Sequence, residues 1–101
     1  MPAAYLVVES QVTDPSAFAG YLQAAPAAVR AFSGEYLVRG GRMQVLEGGW
    51  QPPRLTVIRF PSFEAAQALY DSPAYVAARA LRQGATACFN MVIVEGAEAP
   101  V

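Results

Sequence analysis

The sequence has no histidine, no lysine and only one cysteine, and each absence excludes a kind of site. Without histidine, a zinc or non-haem iron site would need carboxylates and one thiol, an unusual ligand set. The commonest general base in enzymes is missing as well. The single cysteine, Cys88, cannot form an internal disulfide, and its apolar neighbours predict a buried, unreactive thiol. We therefore expect no metal and no other cofactor.

Charged residues are scarce too. They make up 15% of the 101 residues, below the share of typical domains, and the net charge is −1. This balance lacks the basic footprint that nucleic-acid binding requires. The chain has no apolar run long enough for a membrane span, and its first residues lack the basic start of a signal peptide. The sequence thus predicts a soluble, cytoplasmic protein that binds neither nucleic acid nor membranes.

Apolar residues are in excess instead. They amount to 54% of the chain, which is more than one small domain can hide from water. The length fits a single domain, predicted over residues 1–96, with 97–101 as a frayed C-terminal tail. The surplus of apolar side chains predicts a surface for a partner.

Apolar periodicity predicts four strands and two helical regions. The strands are expected at 3–12, 35–39, 54–60 and 89–95, and the helical regions at 15–32 and 63–84, the second restarting at Pro73. Pro26 predicts a kink or an interruption of the first helix. Residues 43–46 are expected to extend the second strand or to form a short extra one. The order βαββαβ predicts a ferredoxin-like α+β domain, in which one antiparallel sheet carries helices on one face.

The other face of that sheet is the reason to expect a dimer. Alternation along the first and last strands gives both faces apolar side chains, although helices cover only one. A second copy of the chain would cover the other face, sheet against sheet. We expect a symmetric homodimer of the dimeric α/β-barrel kind.

Four short segments give the sequence a family resemblance: residues 36–41 (YLVRGG), 46–48 (LEG), 70–75 (YDSPAY) and 94–96 (VEG). Together they resemble a bacterial family of unassigned role, domain-of-unknown-function family 1330, within the dimeric α/β-barrel superfamily. The resemblance implies the ferredoxin-like fold and the dimer, and it implies no established reaction. Superfamily relatives include cofactor-free oxygenases, small isomerases, haem-handling enzymes and sensor domains, so kinship decides little. The family's usual acidic residue before the last strand is missing here, with Asn90 nearby.

Two segments carry the main candidate site residues. In the turn between the helical segments, Asp71 is either a polar anchor at a pocket mouth or a group that binds its own turn. Ser72 has the position of a helix cap, and Tyr75 offers a ring and a hydroxyl. Arg39, beside two glycines, suits a carboxylate or phosphate ligand. Its alternative is a salt bridge to Glu35 or Glu47.

Isolated charged or aromatic residues supply the remaining candidates. Glu9 and Arg59 lie in apolar strands, where they are expected to pair with each other or across a dimer, unless one lines a cavity. Trp50, in a loop, is expected to cover a ligand or to pack on the partner. Arg79 and Arg82 are expected on a solvated helix face.

Three functions remain open on this evidence. The first is binding of a small organic molecule or anion in a cleft between sheet and helices, by Arg39, Asp71, Ser72, Tyr75 and Trp50. The second is a cofactor-independent enzyme, an oxygenase or isomerase acting on a small carbonyl or phenolic compound. In it an acid, Asp71 or Glu9, would move a proton while Arg39 stabilises negative charge. The third is a purely structural dimerisation module.

Overall fold

A four-stranded sheet with helices on one face makes up the computed structural model of this protein, which describes residues 2–97. The elements are β1 (Ala4–Val12), α1 (Pro15–Ala31), β2 (Glu35–Arg39), β3 (Leu55–Phe60), α2 (Phe63–Asp71), α3 (Pro73–Ala80) and β4 (Thr86–Glu95). The predicted ferredoxin-like α+β fold is confirmed, with its second helical region divided into α2 and α3. Of the predicted tail, Ala97 is exposed without regular structure, and residues 98–101 lie outside the described range.

The strand order is β2-β3-β1-β4, and each neighbouring pair is antiparallel. Along β1 the even-numbered residues from Ala4 to Ser10 are buried under the helices, and the odd-numbered ones face the other way. Leu6 pairs with Ile58 on one side and Ile93 on the other, so this helix-covered face continues across the sheet. The largest fully buried side chains among the described residues are Val29, Phe60, Leu69 and Tyr75. The core therefore lies between the sheet and the helices.

Helix α1 begins where the sequence places its cap. The Asp14 carboxylate accepts a hydrogen bond from the Ser16 hydroxyl at 2.8 Å and from the Ala17 amide at 3.2 Å. The hydrogen bond from the Ser16 hydroxyl, and to a smaller extent the one from the Ala17 amide, holds the pKa of Asp14 below its usual value. Pro15 occupies the first turn, where its missing N–H leaves no helical bond unmade.

The first helix differs from the prediction at Pro26. A kink or an interruption is predicted there, and the interruption is absent: α1 continues from Pro15 to Ala31. Pro26 lies within the helix and lacks the N–H that would bond to the Leu22 carbonyl four residues earlier. That carbonyl instead receives a hydrogen bond from the Arg39 side chain at 3.3 Å, which satisfies the acceptor that the proline leaves free.

Residues 41–54 form an irregular arm, and the strand predicted at 43–46 is wrong. An extension of β2 would have to pair with the residues before β3, and Pro52 and Pro53 there have no N–H to donate. Residues 41–51 are exposed, and Leu46 is the most exposed of their large apolar side chains, at 84%. At the other edge β4 begins at Thr86 and not at Phe89, because its first residues pair with the end of β1 across an irregular register.

The face of the sheet opposite the helices is apolar and lacks a cover of helices. It carries the half-buried Tyr5 and Val7 of β1 and Val57 of β3, together with Val92 and Val94 of β4, which are 59% and 51% exposed. We call it the open face. Elsewhere, no helix among residues 2–97 is long and apolar enough to cross a membrane.

Candidate functional site

A small cavity with several polar groups in a mainly apolar lining lies between α1 and the sheet. Its interior volume is about 30 Å³, room for one or two water molecules. The polar lining residues are Ser10, Tyr21, Tyr36, Arg39, Arg54, Thr56 and Tyr75, and the rest of the lining is mainly aliphatic and aromatic. Two guanidinium groups and no carboxylate stand among these lining residues, so the cavity is electropositive.

A β-bulge in β2 brings Arg39 to this cavity. Residues three apart in a regular strand face opposite sides of the sheet, so Tyr36 and Arg39 would normally point apart. The register with β3 shifts between Tyr36 and Val38: Tyr36 pairs with Ile58, whereas Arg39 pairs with Thr56. The extra residue returns Arg39 to the helix side. Both Tyr36 and Arg39 therefore line the same cavity.

Contacts on two sides orient the Arg39 side chain. One Nη donates to the Leu22 carbonyl that Pro26 leaves free. The guanidinium carbon lies 4.7 Å from the centre of the Tyr36 ring, a cation–π distance. Neither Glu35 nor Glu47 takes the role of salt-bridge partner that the sequence suggested, because Arg39 turns inward to α1.

Arg54, which the sequence reasoning passed over, supplies the second positive charge. It precedes β3, and its carbonyl accepts a hydrogen bond from the Ser10 amide at 3.1 Å, so its backbone is tied to β1. Its Nε is buried and no protein group among the described residues accepts from it. Gly40 lies against it: at φ +70° this glycine occupies the left-handed region, and a Cβ there would lie 2.8 Å from the Arg54 Nε. Gly40 thus leaves room for the Arg54 side chain.

Two tyrosine hydroxyls meet at the inner end of the cavity. The oxygens of Tyr21 and Tyr75 are 2.6 Å apart, and the Tyr75 hydroxyl also lies 3.7 Å from the Met91 sulfur. Burial, reinforced by Tyr75, raises the pKa of Tyr21 far above its usual value. Burial also raises the pKa of Tyr36, with Arg39 opposing the shift. The Tyr21 and Tyr36 hydroxyls therefore stay protonated at neutral pH and offer neutral hydrogen-bonding groups.

The structure brings two of the predicted ligand residues, Arg39 and Tyr75, to one cavity. Ser72 is a buried cap: its hydroxyl donates to the Leu69 carbonyl at 2.7 Å and accepts from the Tyr75 amide at 3.2 Å. Asp71 is the exposed last residue of α2 and does not line the cavity. The Asp-Ser-Pro turn therefore positions Tyr75 by capping α3, and its carboxylate faces away from the site.

Glu9 and Trp50 lie on the opposite side of the sheet from the cavity. The Glu9 carboxylate accepts from the Trp50 indole and from the Asn90 amide, each at 3.1 Å. The expected pairing of Glu9 with Arg59 is wrong within one chain, because Glu9 pairs with Leu55 and Arg59 lies opposite Tyr5. This cluster holds the arm against the open face. Cys88, expected to be buried, is half-buried.

Arg79 and Arg82 were expected on a solvated face, and that expectation is wrong. Both are half-buried, because aromatic rings cover their guanidinium groups. Arg79 lies 4.1 Å from the Tyr70 ring centre, and Arg82 lies 3.7 Å from that of Phe89. Arg79 contacts a ring of α2, and Arg82, just beyond the end of α3, contacts a ring of β4, so the sequence of α3 alone does not reveal either contact.

The element order and the four-stranded antiparallel sheet with helices on one face define a ferredoxin-like α+β domain. The family model described as "Domain of unknown function (DUF1330)" matches residues 3–97, and the chain belongs to that family. No curated protein is significantly similar to it in sequence.

Solved structures share the fold at low sequence identity. A protein of unknown function from Rhodopseudomonas palustris is 14% identical with a TM-score of 0.77, over 97% of this chain and 85% of that one. A dimeric protein of unknown function and ferredoxin-like fold from Bacteroides fragilis is 13% identical with a TM-score of 0.63, over 93% and 96%. A cofactor-independent oxygenase from Streptomyces nogalater is 8% identical with a TM-score of 0.64, over 98% and 97%. At these identities the likeness establishes the fold alone.

Proposed function

We propose that this protein binds a small organic acid or a comparable oxyanion in the cavity between α1 and the sheet. The acid group would lie between Arg39 and Arg54, with the Tyr36 ring beside it. The observation that carries the proposal is the pair of guanidinium groups in a lining that contains no carboxylate. Arg39 is exposed and Arg54 is half-buried, and an oxyanion between them could accept charge-assisted hydrogen bonds from both guanidinium groups.

The Arg54 side chain supports an anion more specifically than net charge does. Its Nε is buried and has no accepting protein group among the described residues, whereas an arginine that serves only packing would keep its N–H groups in water. The proposed acid group would accept from this N–H. Gly40 lies directly against the Arg54 Nε, where a Cβ would come within 2.8 Å, so a glycine at this position lets the guanidinium stay where it is.

The size of the cavity limits the ligand. An interior of about 30 Å³ admits one acid group, a carboxylate or a tetrahedral oxyanion, and no larger body while Arg39 stays in place. A longer acid would need an outward swing of Arg39, which would give up the hydrogen bond to the Leu22 carbonyl and the contact with the Tyr36 ring. The aliphatic part of an acid would then contact Leu22 and the nearby tyrosines.

Titration with acetate and with inorganic phosphate, followed by amide chemical shifts, tests the proposal. We expect shifts at Arg39, Arg54 and Tyr36. Arg39→Gln and Arg54→Gln should each weaken binding by about tenfold to a hundredfold, since a charge-assisted hydrogen bond contributes about 1.5–3 kcal/mol. Arg59→Gln is the matched control, because this arginine is exposed on the open face. Equal weakening by all three variants would mean general charge attraction and would contradict the site.

The enzyme alternative has less support from the geometry. It needs a carboxylate beside the arginines, and neither candidate, Asp71 or Glu9, is among the residues that line the cavity. The likeness to a cofactor-independent oxygenase concerns the fold. A proton-transfer role for either acid stays a prediction, and binding is the function that the site supports better.

We also propose that two copies pack through their open faces. The exposed Val92 and Val94 and the dimeric neighbour from Bacteroides fragilis support this arrangement. Sedimentation at micromolar concentration should give a dimer, and Val92→Glu should give a monomer. Val76→Glu, at a similarly exposed valine on α3, should leave the dimer intact. A wild-type monomer under these conditions would refute the interface.

A bacterial source and a cytoplasmic location complete the proposal. The ligand-binding function needs no oxidising compartment, because the single cysteine forms no internal disulfide. Fractionation of cells that express the protein at native level should recover it with cytoplasmic markers, and recovery with secreted proteins would contradict the location.

A further inference from the structure

A second, larger recess lies along the β4 edge of the sheet, between α2 and β4. Its volume is about 480 Å³, within the range of small-molecule sites. Phe63 and Tyr70 of α2 line one side, β4 lines the other, and Leu6 forms part of the floor. We call this recess the β4 groove. It lies on the helix side of the sheet, away from the open face that the proposed dimer would use.

The walls of the β4 groove follow from the periods of its two elements. Phe63 and Tyr70 are seven residues apart, two helical turns, so both project from one face of α2 about 10 Å apart. Phe89, Met91 and Ile93 alternate along β4 and face the helices together. Aromatic rings thus border a long apolar slot, a shape that suits a flat hydrocarbon body.

Arg82 is the charged residue among those that line the β4 groove. Its guanidinium carbon lies 3.7 Å from the centre of the Phe89 ring and 5.2 Å from that of Tyr21, so the group is held in place by two rings. Its Nε is buried without an accepting protein group among residues 2–97. A stacked arginine keeps its donors in the plane of the guanidinium, ready for a carboxylate or sulfonate oxygen.

A second arginine stacks on a ring beside the groove. Arg79 lies 4.1 Å from the centre of the Tyr70 ring, and Tyr70 is itself a groove residue. One Nη of Arg79 is also buried without an accepting group among the described residues. Arg79 therefore adds a positive charge beside a groove whose own lining holds one arginine, Arg82, and no carboxylate.

We propose that the β4 groove binds a planar organic anion, with its ring system between α2 and β4 and its acid group on Arg82. This site is separate from the cavity at Arg39 and Arg54 and does not rest on the function proposed for it. The two sites share the walls formed by Leu6, Phe89 and Met91, but each has its own arginines.

Titration of the full chain with 2-naphthoate, followed by amide chemical shifts, tests this site, with neutral 2-naphthamide as the matched ligand control. We expect 2-naphthoate to shift Phe63, Tyr70 and Met91, and to bind at least about tenfold more tightly than 2-naphthamide. Arg82→Gln should remove that preference. Arg42→Gln, an equal charge loss on the exposed arm, should keep it.

Several outcomes would overturn the proposal. Naphthoate shifts confined to Arg39 and Arg54 would assign the anion to the other cavity, and equal affinity for the amide would remove the role of charge. Groove shifts that follow protein concentration and not naphthoate would mean that a second copy occupies it. If Arg82→Gln does not fold, Arg82→Lys serves in its place: it keeps the charge but loses the planar donors, so weaker naphthoate binding is expected and unchanged binding would contradict the site.

Discussion

The paired hydroxyls of Tyr21 and Tyr75 predict a measurable energetic coupling. Their oxygens are 2.6 Å apart, Tyr75 is 1% exposed, and the cavity beside them has room for one or two water molecules at most. Tyr75→Phe keeps the ring and its packing but leaves the Tyr21 hydroxyl without its partner. Tyr21→Phe leaves the Tyr75 hydroxyl with only the weaker acceptor, the Met91 sulfur at 3.7 Å.

The expected magnitude follows from the cost of an unpartnered buried group. Leaving such a hydroxyl unsatisfied lowers the free energy of unfolding by about 1–3 kcal/mol, and a typical net hydrogen bond contributes about 1 kcal/mol. We expect Tyr75→Phe to fall in the first range and Tyr21→Phe at its lower end. The double variant removes both hydroxyls and strands neither, so its loss should be smaller than the sum by about 1 kcal/mol.

Urea unfolding of the four proteins, followed by circular dichroism and by Trp50 fluorescence, measures this coupling. Protein concentration must be held constant, because a dimer's stability depends on it. Tyr70→Phe is the control: that residue is 39% exposed, so its loss should change stability by less than about 0.5 kcal/mol. The coupling would be refuted if the stability losses of Tyr21→Phe and Tyr75→Phe summed to the loss of the double variant within about 0.3 kcal/mol.

Three further predictions concern packing and pH. Gly34→Ala should lower the free energy of unfolding by about 1–3 kcal/mol in urea, because its Cβ would lie 2.8 Å from the Phe60 ring, whereas Gly41→Ala, with nothing within 4 Å, should change little. Above pH about 10 the free energy of unfolding should fall by up to about 1.4 kcal/mol per pH unit, because Tyr21 ionises in the unfolded chain before it does in the folded one. Tyr21→Phe should flatten that slope. An unchanged slope would contradict the raised pKa of Tyr21. The lowered pKa of Asp14 should make its cap stabilising above pH about 4 and progressively lost below it, so Asp14→Asn should reduce the stability loss in acid, and an identical acid profile would contradict this role.

Local signals in the sequence were enough to locate the helix starts. Asp14-Pro15 and Ser72-Pro73 each combine a capping side chain with a proline in the first turn, and both caps are present. Strand alternation likewise separated the two faces of β1, but both are apolar, and only the structure shows that the helices cover the even-numbered residues. The caps and the alternation depend on neighbours within a few residues, so a single sequence reveals them.

The cavity depends on contacts between distant segments, and the sequence predicted it only in part. Arg39 reaches it through a bulge whose register is set by β3, and strict alternation places that arginine on the wrong face relative to Tyr36. Pro26 read as a helix breaker, although its effect is to free the Leu22 carbonyl that Arg39 binds. Arg54 gave no local signal, because its burial depends on where the arm returns to the sheet.

The central claim is that Arg39 and Arg54 hold one anion between them. Crystals grown or soaked with sodium selenate would locate the anion directly by the anomalous scattering of selenium. We predict an anomalous difference peak within hydrogen-bonding distance of the Arg54 Nε and the Arg39 guanidinium. This peak should be lost in the Arg54→Gln protein. Selenate found only at exposed arginines, with the cavity closed around Tyr36, would contradict it.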